Sequence, residues 1–356
     1  MPPPDGQSAA DKPLGERLAG VIAAAGPISL AQFMAEANAH YYATRDPLGA
    51  DGDFITAPEI SQMFGELAGL WLADLWSRAG APTNAHFAEL GPGRGTLAED
   101  ALRAMRAARF EPPIHLVETS PVLRHNQATR LPTARWHNDL DDLPETGPLL
   151  VIANEFFDAL PIRQVQRCAS GWHEIMVDYQ DGAFVPVTSG PPLDTLVPEP
   201  LADAPEGSVI EMSPPTESIA RALAARIAKQ GGAALIVDYG YEGTVTGDTL
   251  QAVSHHEHAD IFTEPGERDL TAHVNFSSLA GIGRAAGLTV HGPIGQGAWL
   301  ESLGIGARTA ALVKAAPHRH DELISARDRL TKPEEMGTLF KAMALVAPDW
   351  PAPAAF

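Results

Sequence analysis

A strand, a glycine-rich turn and a helix follow one another in one short segment of this chain. The apolar run His86–Leu90 predicts a buried strand, and Thr96–Arg109 has the pattern of a helix. Between them the segment Glu89–Gly95 reads Glu-Leu-Gly-Pro-Gly-Arg-Gly. Glycine lets the backbone turn tightly and approach a ligand where a Cβ would clash. We interpret the turn as a nucleotide-cofactor cradle, and a plain strand-to-helix turn of an α/β domain is the alternative.

The spacing of the glycines narrows the cofactor class. They stand at alternate positions, Gly91, Gly93 and Gly95, with Glu89 two residues before the first. The dinucleotide fingerprint is instead G-x-G-x-x-G. The chain also lacks a clear acid/base pair for hydride transfer. A dinucleotide-dependent oxidoreductase is therefore the weaker alternative.

Composition excludes several classes of protein. The chain has 356 residues and a formal charge of −20. This negative charge makes nucleic acid a poor partner and suits a basic protein or peptide. A need for solubility explains the charge equally well. Cys168 is the only cysteine, so an intrachain disulfide and a cysteine-cluster zinc site are excluded. Neither a membrane-spanning apolar run nor a signal or transit peptide is evident, so we expect no membrane insertion and a cytoplasmic, bacterial protein.

The order of predicted elements indicates an α/β fold preceded by helices. Thr56 and Glu59 form a predicted capping box, with Pro58 in the first turn of a helix that reaches about Arg78. Strand-like runs then end at Leu90 and cover Ile114–Glu118, Ala134–His137, Leu149–Ala153 and Ala233–Asp238, with a last pair at Gly287–His291 and Leu339–Val346.

The regular spacing breaks between residues 161 and 212, where several strand-like runs and an Asp181-Gly182 turn predict an inserted β subdomain. We therefore divide the chain into a helical N-terminal region or lid over residues 1–80, a core over 81–160 and 213–347, and the insertion over 161–212. The insertion would form either a substrate wall or a homodimer contact, and both alternatives stay open.

Two acidic residues after predicted strands suit an adenosine-type ligand. Glu118 lies 27 positions after Gly91, at the end of a strand, where a carboxylate can accept hydrogen bonds from ribose hydroxyls. Asp139 follows the next strand, where a short acid would meet the adenine amino group. Asp141 and Asp142 compete for that role.

The segment Asn154–Pro161 reads Asn-Glu-Phe-Phe-Asp-Ala-Leu-Pro and follows a strand at the edge where open parallel sheets bind ligands. Glu155 and Asp158 are three residues apart and could share a helical face. Paired acids can hold a guanidinium or accept a proton. Asn154, Glu155 and Asp158 are thus our candidate catalytic residues, and capping of the following turn is the structural alternative.

Aromatic and histidine residues complete the candidate site. Tyr239 and Tyr241 end a strand at the same edge and could line a substrate slot. His255, His256, His258 and Asp260 form the only histidine-rich cluster, which lies in a polar loop without a helical pair of ligands. We expect no metal there, and we take His256 as a substrate-facing candidate.

Taken together, the motifs are more specific than any one of them. The sequence resembles the MidA-type family of S-adenosyl-L-methionine-dependent methyltransferases, which includes the mitochondrial complex I assembly methyltransferase. The resemblance spans roughly residues 15–346 and rests on Gly52–Gly65, Glu89–Leu97, Glu118–Pro121, Asn154–Pro161, Val237–Gly240 and Asp269–Asn275.

The resemblance implies a class I methyltransferase fold, a Rossmann-like seven-stranded sheet with an antiparallel last strand. It implies S-adenosyl-L-methionine as cofactor and arginine methylation of a complex I subunit during assembly, in the mitochondrial matrix if the source were eukaryotic. It also implies that Thr56, Pro58 and the helix after them form a lid. A catalytically silent assembly chaperone is a further alternative. The expected cofactor contacts are Glu89, Gly91, Gly93, Gly95, Thr96, Glu118, Asp139, Thr56 and Pro58.

Overall fold

The computed structural model describes residues 12–44, 56–254 and 257–356. The helices are α1 (Leu14–Ala25), α2 (Leu30–Thr44), α3 (Ala57–Ile60), α4 (Gln62–Arg78), α5 (Thr96–Ala107), α6 (Pro121–Arg130), α7 (Pro214–Gln230), α8 (Phe276–Ala285), α9 (Gln296–Ser302), α10 (Ile305–Ala315) and α11 (His320–Thr331). Among the residues described, no helix combines the length and the apolar character needed to cross a bilayer.

The strands are β1 (Ile28–Ser29), β2 (His86–Leu90), β3 (Ile114–Val117), β4 (Arg135–His137), β5 (Leu149–Asn154), β6 (Arg163–Cys168), β7 (Gly171–Gln180), β8 (Ala183–Ser189), β9 (Val209–Met212), β10 (Gly232–Tyr241), β11 (Gln251–Ser254), β12 (Glu257–Ala259), β13 (Asp269–Thr271), β14 (Val274–Asn275), β15 (Thr289–Gly295) and β16 (Phe340–Val346). The strands predicted for the core lie within a few residues of these bounds.

The largest sheet has the strand order β15-β16-β10-β5-β2-β3-β4. Its five strands from β10 to β4 are parallel, whereas β16 runs antiparallel to both β10 and β15. The α/β fold with an antiparallel last strand is therefore confirmed. The strand count differs from the expected seven, because the short β14 pairs with the end of β10 and gives eight.

Burial on both faces explains why the central strands are apolar. All of β5 is buried, and so is β10 as far as Gly240. In strands covered by helices on both faces, apolar residues occupy successive positions instead of alternating with polar ones as in a sheet with one exposed face. Phe64 and Trp71 of α4 belong to the same core as Phe87 of β2 and Leu150 of β5. This core fixes the sheet edge at which the candidate residues lie.

The described chain forms two compact units. One consists of Asp46–Asp158, Thr216–Gly243 and His273–Phe356 and contains the large sheet. The other combines Met1–Arg45, Ala159–Pro215 and Thr244–Ala272. It holds the sheet β1-β7-β6-β9, with β8 paired to β7, and the sheet β12-β11-β13. The predicted turn joins β7 to β8, with positive φ at Asp181 and Gly182.

The boundaries of these two units differ from those of the three regions predicted from the sequence. The predicted lid over residues 1–80 is split, because α3 and α4 belong with the large sheet and α1 and α2 belong with the inserted strands. The strands β11–β13 fall within the predicted core but belong with the inserted strands. An amphipathic pattern shows that a helix has a buried face but does not identify what covers it.

The helix predicted from Thr56 to Arg78 is interrupted. A short α3 ends at Ile60, and Ser61 caps a new helix α4 by accepting a hydrogen bond from Met63 N. The expected capping box is absent, since the Thr56 side chain makes no cap hydrogen bond. Glu59 instead accepts a hydrogen bond from Thr96 Oγ1 at 2.5 Å. That contact holds α3 against the start of α5.

Candidate active site

The candidate residues of the large sheet follow strands that end at one edge. In a parallel sheet this is the edge at which ligands bind. The turn after β2 carries the glycines, Glu118 follows β3, Asp139 follows β4 and Asn154 ends β5. Asp238 lies near the end of β10, beside Lys341 of β16.

The glycine turn requires glycine for conformational reasons. Gly91, Gly93 and Gly95 have φ values of 60°, 52° and 79°, a region that other residues rarely adopt. A Cβ on Gly91 would lie 2.9 Å from Cδ2 of Phe156. Gln127 Nε2 donates to Gly93 O at 2.7 Å and so fixes the turn from α6. The turn leads into the N-terminus of α5, where unpaired N–H groups favour polar or anionic ligand groups.

Glu89 is buried with one carboxylate oxygen unused. Its side chain is 3% exposed, and the backbone N–H of Ala98 hydrogen-bonds to its carboxylate. Oε2 has no hydrogen-bond partner among the described residues. Burial raises the pKa of Glu89 to about 8, and the Ala98 bond only partly opposes that rise. A cationic ligand group would satisfy Oε2 and favour the ionised form.

Glu118 is positioned by three hydrogen bonds. Oε1 accepts from the N–H groups of Thr119 and Ser120, both at 2.8 Å, and Oε2 accepts from Gln127 Nε2 at 3.3 Å. Burial raises the pKa of Glu118, while these donors lower it. A carboxylate has about four acceptor positions. One position therefore remains on Oε2 for a ligand hydroxyl.

Asp139 lies in an exposed turn after β4. Its Oδ1 accepts from Asp141 N at 3.0 Å and caps a short 3₁₀ helix over Leu140–Asp142. Asp141 and Asp142 are exposed in that same 3₁₀ turn. Contact of Asp139 with adenine stays a prediction.

The segment after β5 forms a turn in which Glu155 has a φ of 48°. The expectation of a shared helical face for Glu155 and Asp158 is therefore wrong. Asp238 explains the turn, because its Oδ2 accepts from the backbone N–H groups of Phe157 at 3.0 Å and Asp158 at 3.3 Å. These bonds replace those that a helix would supply.

The Glu155 carboxylate is held between two elements. Its Oε1 accepts from Ala57 N of α3 and from Asn154 Nδ2, both at 3.1 Å. Asn154 Oδ1 is buried and has no hydrogen-bond partner among the described residues. Burial and the nearby Asp158 carboxylate raise the pKa of Glu155 to about 7. A group with this pKa can accept a proton near neutral pH.

Sequence reasoning missed Asp238 as part of this cluster. It is fully buried, and burial together with Asp158 and Glu155 raises its pKa well above the ordinary value. A carboxylate inside the otherwise apolar run of β10 was the available signal. Asp238 thus orders the turn that carries Glu155 and Asp158.

The predicted substrate residues have different environments. Tyr239 is buried, with its ring edge-on to His273 and Phe340 at centroid distances of 5.4 Å and 5.2 Å. Tyr239 is therefore a packed side chain rather than an open wall. Tyr241 is partly buried at the end of β10, whereas His256 lies outside the described residues. Thr56 is partly buried and Pro58 is buried, beside the Ala57 that binds Glu155.

The residues present fit S-adenosyl-L-methionine. The glycine turn leaves room for close approach, Glu118 has one acceptor position for a ribose hydroxyl, and Glu89 Oε2 and Asn154 Oδ1 are buried acceptors without partners. The ammonium group of the methionyl end would supply the missing donors.

Sequence comparison identifies relatives over most of the chain. Residues 67–294 match a protein family described as "Putative S-adenosyl-L-methionine-dependent methyltransferase". The Drosophila melanogaster mitochondrial protein named as the homolog of protein arginine methyltransferase NDUFAF7 is 39% identical over 373 residues, which cover 93% of this chain and 84% of that protein. The human mitochondrial protein arginine methyltransferase NDUFAF7 is 36% identical over 367 residues, covering 91% and 81%.

Structural comparison gives the same result. A crystal structure from Burkholderia thailandensis with bound S-adenosyl-homocysteine superposes with a TM-score of 0.84 and 28% sequence identity. The match covers 96% of this chain and 93% of that one. A second structure from the same organism has a TM-score of 0.82 and 31% identity.

Proposed function

Because the chain belongs to the family of S-adenosyl-L-methionine-dependent methyltransferases, we propose that it methylates arginine side chains of a protein substrate. The enzyme class and the cofactor follow from the family. The dinucleotide-dependent oxidoreductase is accordingly set aside. Arginine as the acceptor is supported by the names of the fly and human relatives.

The observation that carries the proposal is the carboxylate cluster after β5. Glu155 and Asp158 interact electrostatically, and the buried Asp238 interacts with both of them and binds the backbone of the same turn. Adjacent carboxylates raise one another's pKa and are stabilised by a cation placed between them. A guanidinium is planar and can donate two parallel hydrogen bonds to a carboxylate, which would orient its nitrogen for attack.

The same carboxylates account for the proton that methylation releases. S-adenosyl-L-methionine supplies an electrophilic methyl group on its sulfonium. The guanidinium nitrogen forms the new N–C bond as the S–C bond breaks, and the nitrogen then loses a proton. Glu155, with its pKa raised to about 7 by burial and Asp158, is suited to receive that proton.

We propose a subunit of NADH:ubiquinone oxidoreductase as the acceptor protein, methylated during assembly of that complex. The motif resemblance supports this choice. The relatives named above are mitochondrial. The enzyme would act in the mitochondrial matrix of a eukaryote or in the cytoplasm of a bacterium. The formal charge of −20 favours a basic substrate segment.

Transfer of label from methyl-tritiated S-adenosyl-L-methionine tests the proposal. The full-length protein is incubated with an extract of the source organism from which its gene has been deleted, and acid hydrolysis identifies the labelled amino acid. We expect labelled methylarginine. The double variant Glu155→Gln/Asp158→Asn should reduce the rate by about 100-fold or more, the usual contribution of a proton acceptor.

Asp349→Asn, which neutralises an exposed carboxylate, is the matched control and should keep full activity. Label in another amino acid, or methylarginine formation unchanged by the double substitution, contradicts the proposal. If no label is transferred and the double variant still supports complex I assembly, the silent chaperone replaces the enzyme.

A further inference from the structure

The connection between β15 and β16 lies at the ligand-binding edge of the large sheet. β15 is antiparallel to β16, which is antiparallel to β10, so β15 runs parallel to the central strands. Its carboxyl end therefore lies at the same edge as theirs. The helices α9, α10 and α11 start from this edge and return to it.

One arginine of this connection lies close to the candidate site. Arg329 belongs to α11, which packs against α3, the helix whose Ala57 N–H binds Glu155. Burial and Asp158 raise the pKa of Glu155, and the positive charge of Arg329 opposes that rise. The guanidinium is thus within electrostatic reach of the carboxylate that Asn154 also contacts.

Arg329 is available for a ligand. Its side chain is partly buried and makes no hydrogen bond or ion pair with any residue in the described part of the chain. The other basic groups nearby are already used, since Arg327 and Lys332 both pair with Asp328. A partly buried guanidinium without a partner is costly unless something else pairs with it.

Three groups on elements that meet the ligand-binding edge of the large sheet complement an α-amino acid. Glu89 Oε2 and Asn154 Oδ1 are buried acceptors that lack donors among the described residues, and Arg329 is a donor that lacks an acceptor there. A zwitterion with an ammonium and a carboxylate on one carbon satisfies both sets. The methionyl end of the cofactor has this chemistry.

We propose that Arg329 binds the carboxylate of the cofactor's methionyl group, while Glu89 and Asn154 accept hydrogen bonds from its ammonium. The helical connection α9–α11 thereby contributes a cofactor contact that lies beyond the matched residues 67–294. The proposal concerns the cofactor alone, so it holds whichever acceptor is methylated.

Calorimetric titration with two ligands tests this assignment. S-adenosyl-L-methionine and its decarboxylated analogue differ only in the carboxylate. Arg329→Gln should weaken binding of S-adenosyl-L-methionine about 10- to 100-fold, the range for a lost charged hydrogen bond, and should change binding of the analogue by less than about twofold. The two proteins and the two ligands form a thermodynamic cycle, which isolates the free energy of the contact between the guanidinium and the carboxylate.

Two further variants complete the test. Lys332→Gln removes a positive charge next to the same helix and should leave both affinities unchanged. Arg329→Lys keeps the charge without the planar fork, so it should lose part of the affinity for S-adenosyl-L-methionine only. Equal loss for both ligands would mean that Arg329 acts through the fold, and no loss for either would mean that it does not contact the cofactor. Either result overturns the proposal.

Discussion

Two buried carboxylates of similar position differ in their chemistry because their donors differ. Glu118 accepts three hydrogen bonds, including two from backbone N–H groups at 2.8 Å. Glu89 has the backbone N–H of Ala98 and an oxygen without a partner among the described residues. Burial raises the pKa of Glu89 to about 8, and it also raises the pKa of Glu118, where the hydrogen-bond donors act in the opposite direction. Local donors stabilise the ionised form of a buried acid, and Glu118 has more of them than Glu89.

Cofactor binding at pH 7 should therefore release a proton from Glu89. The ligand-free group is mostly protonated, since burial raises its pKa to about 8, and a bound ammonium favours the carboxylate. Calorimetry in two buffers of different ionisation enthalpy measures the number of protons released. Glu89→Gln should lower that number by up to about one per site.

Glu145→Gln, which removes an exposed acid, serves as the control and should release the same number of protons as the unmodified protein. An unchanged proton count for Glu89→Gln would show that Glu89 is already ionised before the ligand binds.

At the scale of elements, α4 and α5 are in backbone contact. A Cβ on Gly69 of α4 would lie 2.4 Å from the carbonyl oxygen of Ala101 and 2.6 Å from its Cα. Backbone atoms cannot move aside as a side-chain end can, so glycine sets the distance between the helices. The contact holds α5, and with it the glycine turn, against the core.

Gly69→Ala should lower the free energy of unfolding by about 3 kcal/mol, because overpacking forces the two helices apart. Gly281→Ala is the matched substitution in α8, where an added Cβ meets nothing within 4 Å. It should raise stability by up to about 1 kcal/mol, the helix preference of alanine over glycine. Urea unfolding of both variants measures these changes, and similar effects from the two would rule out the backbone contact as the cause.

At the scale of the whole molecule, three histidines link neighbouring strands across the large sheet. His86 Nδ1 lies 3.1 Å from His115 Nε2, and His115 Nδ1 lies 2.9 Å from His137 Nε2. Burial, the two neighbouring histidines and Arg135 lower the pKa of His115 from 6.5 to about 4. The folded protein therefore keeps this ring neutral at pH values where the unfolded chain would protonate it.

Acidification should weaken the fold through His115. A base with a lowered pKa gives its full stabilisation above pH 6.5 and loses it as the pH falls towards about 4. Each unit of pKa shift corresponds to about 1.4 kcal/mol, so the free energy of unfolding should fall by about 3 kcal/mol over this pH range. His115→Gln should be less stable than the unmodified protein at pH 7.5 because it breaks the histidine chain, and this deficit should shrink by about that amount at pH 4.5.

Thermal unfolding of the unmodified protein and the variant from pH 7.5 to 4.5 measures this gap. His125→Gln, on an exposed position of α6, controls for the loss of a histidine. A gap between His115→Gln and the unmodified protein that does not vary with pH would show that His115 is protonated equally in the folded and unfolded states.

The sequence by itself determined the elements of the large sheet and the residues at its edge. Strand β2 begins and ends at the residues predicted, since its apolar run and the glycines after it act over a few residues. The candidate site was located by signals that also act over a few residues, namely the glycine spacing, Glu118 and the segment Asn154–Pro161. These signals are local, and a single sequence records them completely.

Only the tertiary structure decided which distant groups meet. The turn at Glu155 depends on Asp238, 80 residues from Asp158 along the chain, and Ala57 reaches Glu155 across 98 positions. The lid predicted over residues 1–80 was divided between two units for the same reason. The role proposed for Arg329 depends on the packing of α11 against α3, which brings its charge close enough to affect Glu155. Packing partners, hydrogen-bond donors and burial arise when remote segments come together, so no local pattern encodes them.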